Sequence, residues 1–156
     1  MKLAFVFVGG HKEAWATELA DTYTKKLKPF VSTEVIRLKP AKQERASQDQ
    51  KLKEESDAIL KALQPNDLVV LCDERGDLLT SKKLSDKLVK LFERGKSRVV
   101  VVIGGAFGAS DELKKRADWT WSLSPLTFNH HFAQGIAMEQ VYRAFTIWKG
   151  LPYHNE

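Results

Sequence analysis

Five branched aliphatic residues in succession, Val99 to Ile103, end without transition at Gly104-Gly105. So short and so uniformly β-branched a run predicts a strand covered on both faces. The glycine pair after it lets the backbone turn sharply. A strand buried on both faces needs helices above and below it, which points to a layered α/β architecture.

The rest of the chain supplies the partners. Lys2–Val8 is a second apolar run of strand length. From Lys12 to Leu27, Trp15, Leu19, Tyr23 and Leu27 recur every four positions, predicting an amphipathic helix that begins near His11 and is closed by Pro29. Ser32–Leu38 reads as a strand, Pro40–Gln50 as a polar mobile loop, and Lys51–Leu63 as a helix on Leu52, Ile59, Leu60 and Leu63. Past the turn Pro65-Asn66-Asp67, Leu68–Cys72 reads as a strand running into a charged turn, Asp73-Glu74-Arg75-Gly76. Thr80 and Ser81 offer N-caps for a helix through Leu84, Leu88, Leu91 and Phe92, stopped near Gly95. A short helix around Asp111–Ala117, a last strand Trp119–Leu123 and a long helix His130–Lys149 complete the series, with Leu151–His154 as a tail. Strands alternating with helices predict one α/β domain over residues 1–156, with a mainly parallel sheet and helices on both faces.

Composition narrows the setting. The lone Cys72 leaves no internal disulfide and no multi-cysteine zinc site, and no histidine or carboxylate stands at ligand spacing from another, so no metal is expected. The N-terminal apolar run is short for a signal-peptide core, and no stretch approaches the ~20 apolar residues of a membrane span. A cytoplasmic protein without membrane contact is expected. The net charge of +5 permits a nucleic-acid partner through counterion release but does not demand one.

In open α/β sheets ligands bind where loops leave the carboxyl ends of the strands. Three informative loops do so: Cys72–Gly76, Gly104–Gly108 and Leu123–Phe128. Gly104 and Gly105 admit a ligand close to the backbone or simply make a tight turn; the spacing is neither the dinucleotide fingerprint nor a P-loop. Leu123-Ser124-Pro125-Leu126-Thr127-Phe128 can offer backbone groups to an adenine edge between apolar side chains, or merely connect to the last helix. His130, His131 and His154 are candidate proton carriers, or structural residues. Arg143, beside Glu139, Gln140 and Tyr142, suits either a phosphate or a buried ion pair. Cys72 reads as a buried, inert thiol, and Trp119 with Trp121 as packing on one face of a strand. The tail would ordinarily be expected to fray.

These motifs in order, Asp73-Glu74-Arg75-Gly76, Ile103-Gly104-Gly105-Ala106-x-Gly108, Leu123-Ser124-x-Leu126-Thr127-Phe128-x-His130, Glu139-Gln140-Val141-Tyr142-Arg143-Ala144-Phe145-x-Ile147 and Pro152-Tyr153-His154, resemble one bacterial family. With the opening Met1-Lys2-Leu3 and Val8-Gly9, the resemblance spans the whole chain. The family is the large-subunit ribosomal RNA methyltransferase H family, of the SPOUT class.

The resemblance implies an α/β fold whose C-terminal part forms a trefoil knot, a homodimer, and S-adenosyl-L-methionine as cofactor. It implies methylation of N3 of a pseudouridine in 23S rRNA on the assembled ribosome, with neither membrane nor DNA as a partner. It assigns the cofactor to Cys72, Gly104, Gly105 and Leu123, Ser124, Pro125, Leu126, Thr127 and Phe128. It assigns RNA contacts to Arg75, Tyr142 and Tyr153, and catalytic roles to His130, Arg143 and His154. Where the family usually has leucine, proline and arginine, this chain has Cys72, Asn129 and Gln134. The last exchange implies the loss of a cation from the RNA-facing side, which His131 or lysines of a second subunit would have to replace, and Gly135 beside it is expected to loosen the helix start. Three rivals remain at this point: the same chemistry on another RNA such as tRNA, a non-catalytic ribosome-binding homologue, and a Rossmann-like nucleotide-binding protein.

Overall fold

The computed structural model describes residues 1–42, 45, 47–95 and 98–155. The element order is β1 (Lys2–Val8), α1 (Ala14–Leu27), β2 (Ser32–Leu38), α2 (Gln48–Ala62), β3 (Leu68–Leu78), α3 (Ser81–Glu93), β4 (Arg98–Ile103), α4 (Asp111–Arg116), β5 (Trp119–Ser122) and α5 (His130–Trp148). The five strands form one sheet, ordered β2-β1-β4-β3-β5, in which every pair is parallel.

The uniform Val99–Ile103 run has the cause expected of it. Successive side chains of a strand point to opposite faces, and here both faces are roofed. Val99, Val101 and Ile103 join Phe5, Phe7 and Val70 beneath Leu84, Leu88, Met138 and Val141 of α3 and α5. Val100 and Val102 join Ala4, Val6, Val69 and Leu71 beneath Ile59 and Leu113 of α2 and α4. At the far end of the sheet from the glycine loop, the guanidinium of the buried Arg98 donates to both oxygens of Asp67, at 3.1 and 2.7 Å, and to Glu34 Oε1 at 2.9 Å. This fastens β4 to the turn before β3. Trp119 and Trp121 are buried and stacked on one face of β5, as packing residues rather than a surface for bases.

Several boundaries differ from the sequence expectation, each for a local reason. The helix expected from His11 starts at Ala14, and His11 lies exposed in the turn before it. Its core face is Ala16, Ala20 and Leu27, whereas Trp15 of the four-residue stripe is 40% exposed. The small alanines let α1 come close to its neighbours, and Trp15 lies instead against Phe132 of α5, ring centroids 4.9 Å apart. The polar stretch expected as a loop to Gln50 turns helical at Gln48, because Ser47 and Gln50 form a reciprocal capping box; residues 43, 44 and 46 of that stretch lie outside the described residues.

The strand expected to end at Cys72 continues to Leu78. Cys72 and Asp77 both oppose Trp121, so residues 73–76 bulge out and the ladder then resumes. Asp77 fixes the return, its Oδ2 accepting from Trp119 Nε1 at 2.8 Å and from Lys87 Nζ at 2.6 Å. These bonds, Lys87 first, hold the Asp77 carboxyl below its ordinary range. Gly135 does not loosen α5, which runs unbroken from His130 to Trp148. A methyl group there would run into Leu19 Cδ2, so the glycine is what brings α1 and α5 into contact.

Candidate active site

The bulge of β3 and the carboxyl ends of β4 and β5 meet at one edge of the sheet and enclose a cleft of about 420 Å³. One wall is the β3 bulge with Cys72 and Arg75; the floor is Gly104 and Gly105; the opposite wall is Leu123, Ser124, Leu126, Thr127 and Phe128, with His130 at the first turn of α5. The structure thus brings together all the expected cofactor positions but one. Pro125 is exposed at the outer side of its loop and does not line the cleft. Its neighbour Ser124 shapes that loop, with Oγ accepting from Leu126 N at 3.0 Å.

The glycine loop closes on itself. Gly108 N donates to Gly105 O at 3.2 Å, Gly108 has a φ of +90°, and a Cβ at Gly104 would stand 3.0 Å from Gly108 O. Any side chain at Gly104 would therefore open the turn. Cys72 is half-buried at the wall. Burial, then the Asp73 charge, pushes its thiol well above the ordinary range, so it is an apolar contact and not a nucleophile.

His130 stands above the floor, with Asn129 as N-cap of α5, its Oδ1 accepting from His131 N at 2.9 Å. Burial first, and the neighbouring His131 second, lower the His130 pKa, so its ring is neutral at pH 7 and able to accept a proton. The two rings lie 4.1 Å apart, beside Gly9, whose φ of +78° carries the chain off the end of β1.

The Gly9-Gly10 turn is a fourth loop at this edge that loop patterning did not single out. Arg37 of β2 reaches into it and donates to Gly9 O at 2.9 Å and to Gln134 Oε1 at 2.8 Å. Gln134 in turn donates to Val8 O at 3.2 Å and is 2% exposed. This corrects the expectation for position 134. Gln134 is buried and faces inward, where a cation from β2, Arg37, already meets it.

Arg143, Tyr153 and His154 are not at this cleft. Thirteen positions separate His130 from Arg143 along α5, about 20 Å at 1.5 Å per residue. They form a second cluster around Glu139, which accepts from Arg143 Nη2 at 2.6 Å, from Arg143 Nε at 3.1 Å and from Tyr153 Oη at 3.1 Å. The Arg143 guanidinium lies 4.7 Å from the centroid of the Tyr153 ring, and its Nη1 is 3.3 Å from His154 Nδ1. Glu139 raises the Arg143 pKa, while burial and hydrogen bonds to Tyr23 and Glu139 raise that of Tyr153. Tyr142 packs against Tyr153 and Tyr23, at 4.9 and 5.9 Å between centroids. The tail is docked rather than frayed: Leu151 N donates to Thr146 O at 2.9 Å.

An all-parallel sheet with a glycine-floored cleft of mixed polar and apolar lining, at the β3 bulge and the carboxyl ends of β4 and β5, defines a class, and the chain falls in it over nearly its full length. The family described as "Predicted SPOUT methyltransferase" matches residues 1–154. Within that class the chain belongs to the ribosomal RNA large subunit methyltransferase H family. The member from Bdellovibrio bacteriovorus is 44% identical over 155 residues, covering 99% of each chain. Those from Methylobacillus flagellatus and Acetivibrio thermocellus are 37% and 36% identical, over 100% and 99% of this chain and 100% of each relative. The crystal structure of tRNA (m1G37) methyltransferase from Aquifex aeolicus has the same fold, with a TM-score of 0.53 at 15% identity over 98% of this chain and 72% of that one. The chain is accordingly an enzyme of the methyltransferase class, for which membership implies S-adenosyl-L-methionine as methyl donor. Among the described residues no group of side chains is arranged to hold a metal, and no helix is long and apolar enough to cross a membrane.

Proposed function

We propose that this protein binds S-adenosyl-L-methionine in the cleft above Gly104 and Gly105 and methylates N3 of a pseudouridine in 23S rRNA on the assembled ribosome, acting in the cytoplasm as a homodimer of one-domain chains. The observation that carries the substrate is full-length identity of 36–44% to proteins named for the large ribosomal subunit. The proposal includes the trefoil path of the C-terminal segment and involves no DNA or membrane partner.

The cleft fits the cofactor. Its volume falls in the range of about 300–1,000 Å³ typical of small-molecule sites. Cys72, Ile103, Leu123 and Phe128 supply apolar walls, while the backbone of the Leu123–Phe128 loop offers polar groups for an adenine edge. When bound, the sulfonium supplies an electrophilic methyl group. Gly104 and Gly105 would let the backbone approach the bound group closely, and positioning of that kind would provide much of the acceleration. His130, neutral and at the rim, is placed to take the N3 proton of the base. Arg75, exposed at the cleft wall, is a cation available to RNA phosphate.

Arg143, Tyr142, Tyr153 and His154 take part from the partner subunit, since within their own chain they cluster on the second half of α5 and none of them lines the cleft. The exposed Trp15–Phe132 pair on α1 and α5 is the apolar surface offered to that subunit.

Incubation with methyl-labelled S-adenosyl-L-methionine and ribosomes lacking the modification, with naked rRNA and tRNA in parallel, tests the function. Label on a single pseudouridine from assembled ribosomes is expected. Label on tRNA alone would replace this substrate with another. The rate should be level at neutral pH and fall in acid as the imidazole protonates, on the acid side of the ordinary histidine range because burial and then His131 lower its pKa. The His130→Ala variant should be slow and lack that acid limb; an unchanged limb would remove His130 as the base.

A further inference from the structure

Among the described residues, one buried side-chain atom has no hydrogen-bond partner: Oε1 of Glu55. Glu55 is on α2 and 4% exposed. A buried carboxylate oxygen without a donor is costly, and folded proteins rarely keep one without a use. Its companion Oε2 accepts from Ala41 N at 3.0 Å, which pins the carboxylate in place.

Oε1 is directed at the glycine loop. A methyl group on Gly105 would run into it, with the carboxyl carbon 3.1 Å away. Gly105 lines the cleft while Glu55 does not, so the carboxylate lies behind the loop. The next residue holds the loop's far end, with Ser56 Oγ accepting from Ser110 N at 2.9 Å. Lys51, one turn earlier, lies over the Phe107 ring at 5.6 Å. One helix thus meets residues 105, 107 and 110 of a loop whose inner side is the floor of the cleft.

We propose that Glu55 is a positioning residue for the cofactor: its unpartnered Oε1 is the acceptor that a backbone amide of Gly105 or Ala106 takes up when the loop closes over bound S-adenosyl-L-methionine. The unmet acceptor in the ligand-free protein is then a cost that binding removes, so it contributes to affinity and not to the stability of the free fold. This rests on the cleft being the cofactor site, and wild-type binding is measured alongside for that reason.

The test is Glu55→Gln, which keeps size and one acceptor for Ala41 but turns the other position into a donor that cannot receive an amide. Calorimetric titration with S-adenosyl-L-methionine should give a Kd about tenfold weaker than wild type, with the Tm of the free protein not lowered. In turnover, KM for the cofactor should rise while kcat holds. A second pair guards against a folding artefact. Gly105→Ala alone should weaken binding, and Glu55→Ala in the same chain, by vacating the space, should make the combined loss smaller than the sum of the two. A Kd within twofold of wild type for Glu55→Gln, an affinity loss matched by a fall in free-protein Tm, or strictly additive losses would each overturn the proposal. A wild type that fails to bind S-adenosyl-L-methionine would overturn the reading of the cleft itself, and this one with it.

Discussion

Replacing Gly76 by alanine should destabilise the protein by about 3 kcal/mol, because the new methyl has nowhere to go. At Gly76 the β3 bulge passes directly over the backbone of β5. A Cβ there would stand 2.6 Å from both the carbonyl carbon and oxygen of Thr120 and 2.7 Å from the carbonyl carbon of Trp121. These are backbone atoms of an edge strand of four residues, paired only with β3. They cannot rotate aside as a side-chain end would, so β5 must shift or the bulge must unfold. For a chain of this size about 3 kcal/mol corresponds to a fall in Tm of roughly 6–12 °C. The consequence reaches the cleft, since the bulge forms one wall and the Leu123–Phe128 loop follows β5 directly. Cofactor affinity should therefore drop along with the Tm. Thermal unfolding and calorimetric titration of Gly76→Ala check both, and a Tm within about 2 °C of wild type would show that β5 can yield.

Gly76 also marks what the sequence discloses and what it conceals. The Val99–Ile103 run and the alternation of apolar strands with amphipathic helices predict a two-faced parallel sheet, and hydrophobic burial imposes it. The loops at strand ends are visible as breaks in hydrophobicity, so the cleft at Cys72, Gly104 and Leu123–Phe128 follows from where such breaks must lie.

Contacts between segments distant in the chain were not legible. The bulge at residues 73–76 exists because Asp77 finds Trp119 and Lys87, a pairing no local pattern announces. Gln134 reads as a polar residue on a helix start, yet it is buried because Arg37, 97 positions away, supplies its partner. Trp15 belongs to a four-residue apolar stripe but lies outside, since α1 packs through alanines. The separation of His130 from Arg143 was available in principle from helix rise alone. The motif order, which places them together in one list of functional residues, hides that they are distant in one chain.

Removing residues 151–156 should lower methylation at least a hundredfold while leaving cofactor affinity within about twofold of wild type. The argument is geometric. Tyr153 and His154 meet Arg143 and Glu139 on the second half of α5, and none of them lines the cleft. Loss of the tail therefore cannot disturb cofactor contacts within its own chain. It would strip Arg143 of the Tyr153 ring and of His154, leaving it paired to Glu139 alone. Since Arg143 lies about 20 Å along α5 from His130 and His154 sits against Arg143, the proposed homodimer would bring them to the same base across its two-fold interface. Mixing two inactive chains separates this arrangement from action within one chain. One chain lacks the tail; the other carries Thr127→Trp, which fills the cleft from an exposed position. In a mixed dimer the tail-less chain keeps an intact cleft and receives the tail of its partner, so one site of two is restored. With random pairing, about a quarter of wild-type activity should return. If each tail served its own cleft, no combination of the two chains would hold a complete site, and the mixture would stay as inactive as its components.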